Sequence, residues 1–177
     1  MKKNADRFLT ALFCDDIRHE MGNKLSFMGC YQGELNVLSA PALLGKLCVY
    51  VSAWTPKEKP FKTLVFRIVQ DDDMELARLE LAAEVLEEAA PVTDAGATRK
   101  TVSTAITFAP FFIEKPTSLR LLAITEEGEI VGPRLLIKVT APTPSTALVA
   151  EEPQATPYAG AKRKPAAKRR AASTRKP

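Results

Sequence analysis

The sequence has little of what usually announces a reaction. It holds one histidine, His19, and one tryptophan, Trp54, in 177 residues, with no GxSxG, HExxH, P-loop or GxGxxG pattern. A lone histidine becomes a general base only with an orienting partner and a nucleophile at hydrogen-bond range. The expectation is a protein that is not an enzyme. Three cysteines, Cys14, Cys30 and Cys48, each fall in an apolar run without CxxC spacing. That argues against a disulfide framework or a zinc site and predicts buried free thiols in a reducing cytoplasm. No apolar run approaches the roughly 18 residues that a membrane helix needs. Basic Met1–Arg7 followed by apolar Phe8–Cys14 imitates a secretory leader, but Asp15-Asp16 stands where small residues belong. Cytoplasmic localisation is the expectation.

Acidic residues are missing from one end. From Ala161 to Pro177 there are eight basic residues (Lys162, Arg163, Lys164, Lys168, Arg169, Arg170, Arg175, Lys176) and no acidic ones. Of 25 basic residues in the chain, the first 160 positions therefore keep 17, against 21 acidic. The clusters Lys162-Arg163-Lys164 and Lys168-Arg169-Arg170 flank Pro165-Ala166-Ala167 and resemble the Lys/Ala/Pro tails of nucleic-acid-condensing proteins. Such cations neutralise phosphates and release counterions, which gives sequence-independent, salt-sensitive binding. No aromatic is interleaved from Ala161 on, so base stacking is not implied. A solubility tail, an anionic-membrane contact and a nuclear address compete with this reading.

What is present before that end is β patterning. Phe8–Cys14 and Leu25–Tyr31 are apolar runs on either side of a polar connection, and they read as paired strands. Gln32-Gly33 turns the chain into Glu34–Leu38. Lys46–Trp54 sets Leu47, Val49, Val51 and Ala53 against Cys48, Tyr50, Ser52 and Trp54, the clearest period-2 signal in the chain. Phe61–Gln70 alternates likewise and closes on Asp71-Asp72-Asp73. Met74–Glu88 reads two ways: as a helix capped by Asp73 with Leu76, Leu79, Ala83 and Leu86 on one stripe, or, favoured by the neighbouring strands, as a strand to about Leu81 with a helical turn after it. Thr101–Ala109 is β-branched, Phe111–Ile113 reads as an apolar link, and Glu126-Glu127-Gly128 joins Ser118–Thr125 to Glu129–Thr140 as a hairpin. Phe108, Phe111 and Phe112 read as core. Trp54 and Tyr50, with Tyr31 near, read as a core stripe or an aromatic platform.

Eight or nine short strands predict a mainly β chain, an antiparallel β-sandwich of immunoglobulin-like or C2-like type over residues 1–140. Prolines 142, 144, 153 and 157 punctuate a polar linker over 141–160, and the basic tail fills 161–177. Both are expected to be disordered when free, because they bury too little apolar surface to offset ordering entropy.

The opening stretch also carries a likeness. An apolar strand, Asp15-Asp16, Ile17-Arg18, Glu20, a Gly22-Asn23-Lys24 turn and then Leu25-Ser26-Phe27-Met28-Gly29-Cys30-Tyr31 resemble the start of a small uncharacterised family of bacteria and their phages. The likeness extends over about Arg7 to Val139. It implies a compact β domain, with no catalytic residues to carry over, and leaves the tail outside.

These observations predict a non-enzymatic interaction protein. Its body meets a protein partner, and its tail adds nonspecific nucleic-acid affinity. A second expectation is a calcium-dependent ligand or membrane module. If strands simply alternate up and down, Asp15, Asp16, Asp71, Asp72 and Asp73 gather at one end, and carboxylates are suited to that cation; a solvated loop is the bland alternative. A third is a phage structural or accessory protein. His19 and Glu20 add metal-binding residue types without fixing a site.

Overall fold

The structure is a computed structural model that describes residues 6–88 and 96–140. The predicted linker and tail, 141–160 and 161–177, lie outside the described residues.

The chain is mainly β. In order it forms β1 (Phe8–Cys14), β2 (Asp16–Glu20), β3 (Lys24–Met28), β4 (Glu34–Val37), β5 (Ala42–Leu44), β6 (Leu47–Pro56), β7 (Leu64–Gln70) and β8 (Met74–Glu80). Then come α1 (Ala83–Glu88), β9 (Arg99–Phe108), β10 (Phe111–Ile113), β11 (Thr117–Thr125) and β12 (Gly128–Val139). The strand to Glu80 followed by a six-residue helix matches the favoured reading of Met74–Glu88.

Two larger sheets share one core. The first is three-stranded, in the order β1-β6-β9; the second is five-stranded, β4-β12-β11-β7-β8. Alternation on β6 turns Leu47, Val49, Val51 and Ala53 into the core, where all are fully buried. Facing them are Phe66 and Ile68 of β7, Leu119 and Leu121 of β11, and Leu135 and Ile137 of β12. Leu86 of α1 and Phe61 join the same cluster. Burying such side chains contributes about 1.5–3 kcal/mol each before the entropy of ordering is subtracted.

Four expectations change. The first is that β1 forms no ladder with the Leu25–Tyr31 run, which it meets through the Tyr31 N–H bond to the Phe13 carbonyl. It pairs antiparallel with β6, from Phe8↔Trp54 to Cys14↔Cys48, and the polar connection is itself β2, paired with β3 in a separate ribbon. The reason is burial: Leu9 and Phe13 reach the core from beside β6, whereas Asn23 (φ 56°) and Gly22 (φ 79°) close a tight turn that suits a small ribbon. A second change concerns sheet sense, because β4 runs parallel to β12, so the larger sheet is mixed. Third, Phe111–Ile113 is a strand, paired with the three residues of β5. That pairing leaves Phe112 and its opposite neighbour Leu43 exposed, so Phe112 is not core. The fourth is that Cys30 is exposed, whereas Cys14 and Cys48 are buried free thiols.

A bulge explains how β1 comes close to the larger sheet. The β11–β12 register slips between Arg120↔Arg134 and Leu122↔Val131, setting Gly132-Pro133 at the irregularity. A proline has no N–H for a ladder, so a bulge is where a strand accommodates it. At Gly132 an added Cβ would lie 3.1 Å from Cβ of Leu9 and 3.0 Å from the Leu121 carbonyl oxygen. Glycine therefore lets β1 and β12 meet.

Arg7 ties one end of the body. Its side chain is only 3% exposed and pairs with Glu126 at 2.7 Å and Glu127 at 3.7 Å. It also donates to Thr55 Oγ1 at 3.1 Å and the Lys59 carbonyl at 3.0 Å, with the guanidinium 4.8 Å from the centroid of Phe61. The Glu126 carboxylate in turn accepts from the backbone N–H groups of Lys62 and Thr63. One cation thus fastens the start of β1, the Pro56–Pro60 loop and the β11–β12 turn.

Candidate functional site

The acidic pair between β1 and β2 is held by its own neighbours. The Asp15 N–H donates to the Met28 carbonyl at 2.9 Å, the Tyr31 N–H donates to the Phe13 carbonyl at 2.8 Å, and the Tyr31 hydroxyl donates to the Asp15 carboxylate. Burial, then the bond to Asp15, raises the Tyr31 hydroxyl well above its ordinary range. Gly29 (φ 64°) makes this closure possible, because a Cβ there would collide with the Asp15 carboxylate. Asp16 takes Lys46 at 2.7 Å and Arg18 at 3.4 Å. The Lys46 hydrogen bond lowers the Asp16 carboxyl below its ordinary value, and Asp16 raises Lys46. Asp15, Asp16, Leu44, Gly45 and Lys46 line a shallow recess open to solvent.

The other acidic run closes the β7–β8 turn. Asp71 (φ 51°) and Asp72 (φ 70°) adopt the left-handed conformation that aspartate tolerates better than most residues. Asp71 accepts from the Ser118 N–H at 2.9 Å; desolvation opposes its ionisation, but the Thr117 side chain, that bond and the charge of Lys115 leave its carboxyl lowered. Asp72 pairs with Arg120 at 3.0 Å and with Arg134. Asp73 is exposed.

Strand direction does bring both runs to one end. Arg7, before β1, meets Glu126, which follows Thr125, the register partner of Leu64 at the start of β7. Both β1 and β7 therefore run away from the Arg7 end. Yet the carboxylates are divided between sheets: Asp15 and Asp16 bond around Tyr31 and Lys46, Asp71 and Asp72 around Ser118, Arg120 and Arg134. Among the described residues no group of three or more His, Cys, Asp or Glu side chains is placed to hold a metal ion. His19 is exposed on β2 opposite Leu25, and Glu20 is exposed opposite Lys24.

Cys14, Cys48, Phe8, Tyr50 and Trp54 occupy the outward face of the three-stranded sheet. Cys14 and Cys48 are directly opposite, with sulfurs 3.5 Å from the Asp16 carbonyl and 3.8 Å from that of Asp15. Burial, reinforced by Cys48, pushes the Cys14 thiol up to about 11, which keeps it protonated and inert near neutral pH. Trp54 stacks on Phe8 with centroids 5.7 Å apart, and Tyr50 lies against Phe27 at 5.2 Å. Trp54 and Tyr50 are half-buried on this face rather than core, and Tyr31 is taken up by Asp15. Arg99 sits 5.3 Å from the Phe8 centroid.

Sequence reasoning passed over Arg7, a single cation beside a leader-like run; its only signal is the distant Glu126-Glu127 pair. It also passed over Leu43, which stands opposite Phe112. The eight tail residues, Lys162 to Lys176, lie outside the described residues.

No protein-family model matches the chain, and no curated protein matches it in sequence. Among the described residues no helix is long and apolar enough to cross a membrane.

Proposed function

We propose that this is a non-enzymatic interaction protein, a rigid β-sandwich body that meets a protein partner and a basic tail that binds nucleic acid without sequence preference. The observation that carries this reading is how charge is partitioned. In the body, Arg7, Arg18, Arg67, Arg78, Arg120 and Arg134 all hold carboxylates. At the Arg7 end Lys57, Lys59, Lys62, Arg99 and Lys100, which form no ion pair among the described residues, are interleaved with Asp6, Glu58, Glu84 and Glu87, so their charges largely balance. From Ala161 on, eight cations stand without one acid. Phosphates are the partner such charge selects.

The body's share rests on the exposed pair Leu43 (64%) and Phe112 (55%), opposite each other on the β5–β10 ribbon. Exposed apolar neighbours of this kind favour contact with another protein. Calcium remains the weaker reading, because Asp15, Asp16, Asp71 and Asp72 bond to separate partners and Asp73 is exposed.

The test is binding to several unrelated duplexes and to single-stranded DNA and RNA by the full chain. It is compared with a chain whose eight tail cations are replaced by glutamine. Similar affinities across sequences, lost together in the glutamine chain, support the reading. A strong preference for one sequence, or binding unchanged by the replacement, rejects it.

A further inference from the structure

The open edges of the two larger sheets are not alike. β4 is only four residues long and presents Glu34 and Asn36. β8 carries Glu75, Arg78 and Glu80, and its register with β7 slips between Ile68 and Val69. β1 lies against β12, so close that a Cβ on Gly132 would sit 3.1 Å from that of Leu9. Short strands, charges, bulges and cover are the means by which edges are protected from pairing.

β9 has none of these over most of its length. It is ten residues long and keeps an unbroken register with β6, from Leu47↔Phe108 to Pro56↔Arg99. From Thr101 to Ala109 the sequence TVSTAITFA contains no charge and no proline. Among the described residues β9 has no strand on its other side, and no backbone hydrogen bond from Thr101–Phe108 leads away from the sheet. On the core side Ile106 and Phe108 stay partly exposed although they pack against the core. The hydrophobic layer is thus incompletely covered along this edge.

We propose that β9 pairs antiparallel with β9 of a second copy of this chain, joining the two three-stranded sheets into one six-stranded sheet about a two-fold axis at Ala105. Opposed residues of an antiparallel ladder lie on the same face, so the axis passes through a residue, and Ala105 is the midpoint of the uncharged stretch. That register sets Val102 opposite Phe108 and Thr104 opposite Ile106 on the core side. Ser103 faces Thr107 on the outer side, and exposed Ala105 meets itself. Arg99 and Lys100, the strand's only charges, fall beyond the uncharged overlap instead of meeting their own copies. Centring on Ser103 would instead set Lys100 against Ile106. With no charge along it to select a foreign strand, this edge is complementary to its own sequence. The proposal is independent of the tail, though a dimer would carry two tails and bind a polyanion with avidity.

Sedimentation equilibrium of the full chain up to about 100 μM is expected to show a dimer. Ala105→Lys, which places two ammonium groups face to face, is expected to give a monomer with an unchanged far-ultraviolet spectrum. Ala105→Cys in a Cys30→Ser chain supplies a second readout. Opposed Cα atoms about 4.5–5.5 Å apart suit a disulfide, so oxidised glutathione is expected to link two copies through residue 105 while being reduced itself. A wild-type chain that stays monomeric, an Ala105→Lys chain that stays dimeric, or an Ala105→Cys chain that does not cross-link overturns the proposal.

Discussion

The body and the stretch from Ala161 to Pro177 distribute the same kind of charge differently. In the body, Arg7 is buried and holds Glu126 and Glu127, while Arg120 and Arg134 converge on Asp72. Those cations join strands and turns that are distant in sequence. In the basic stretch, Lys162-Arg163-Lys164 and Lys168-Arg169-Arg170 have no acid among them. Paired charge maintains a fold and changes little with salt when buried, whereas unpaired charge is available to a partner and is screened by salt. Charged residues that catch the eye in a sequence need not be the ones that act on a partner.

The comparison breaks most visibly if the two regions exchange roles. Replacing the eight tail cations by glutamine is expected to remove most of the duplex affinity at low salt, because that many phosphate contacts are what make affinity fall about 10³–10⁵-fold between 50 and 200 mM salt. Fluorescence anisotropy at 50 mM salt reads it, and the melting temperature of the body should not move. Arg7→Met is the converse. It removes one partner of a buried charge pair and should cost about 3 kcal/mol by urea unfolding, with nucleic-acid affinity unchanged. Gly29→Ala should cost roughly 1–2 kcal/mol, since a left-handed residue gains a Cβ against the Asp15 carboxylate.

Acid sharpens the comparison further. Desolvation opposes ionisation of Glu126, but the bond from Arg7 and the N–H groups of Lys62 and Thr63 leave its carboxyl below the ordinary 4.5. A folded-state value below the unfolded one stabilises above about pH 4.5, and the contribution is lost as pH falls through the lowered value. Melting temperatures from pH 6 to pH 2 should therefore fall less steeply in Glu126→Gln than in the parent, from a lower start. The smallest effect belongs to Asp16→Asn, whose partners Lys46 and Arg18 are solvent-exposed. Its unfolding midpoint should be indistinguishable from the parent.

Strand identity was legible in the residues; strand partnership often was not. Period-2 alternation located β6, β7 and β9 and the Glu126-Glu127-Gly128 turn located β11 and β12, whereas Met74–Glu88 carried helix and strand patterns at once, and only its neighbours favoured the strand. Alternation says which face is buried, but not which neighbour supplies the ladder, so β1 looked like the partner of the next apolar run. The three-residue β5 is too short to show a period, and parallel β4 is joined to its partner only by tertiary contact. The acidic runs were visible, and their shared end followed from strand direction. Which cations each would meet depended on Lys46, Arg120 and Arg134, residues far along the chain. Arg7 was illegible for the same reason, its carboxylates lying about 120 positions away.

The most direct measurement is the salt dependence of duplex binding, taken as the slope of log Kobs against log salt concentration for the full chain, its tail-glutamine variant and Arg7→Met. Eight phosphate contacts correspond to a slope of about −7. The predicted result is a slope near that value for the parent and for Arg7→Met, and near zero for the glutamine chain. A parent slope near zero, or an equal steep slope in all three chains, would contradict the assignment of free charge to the tail.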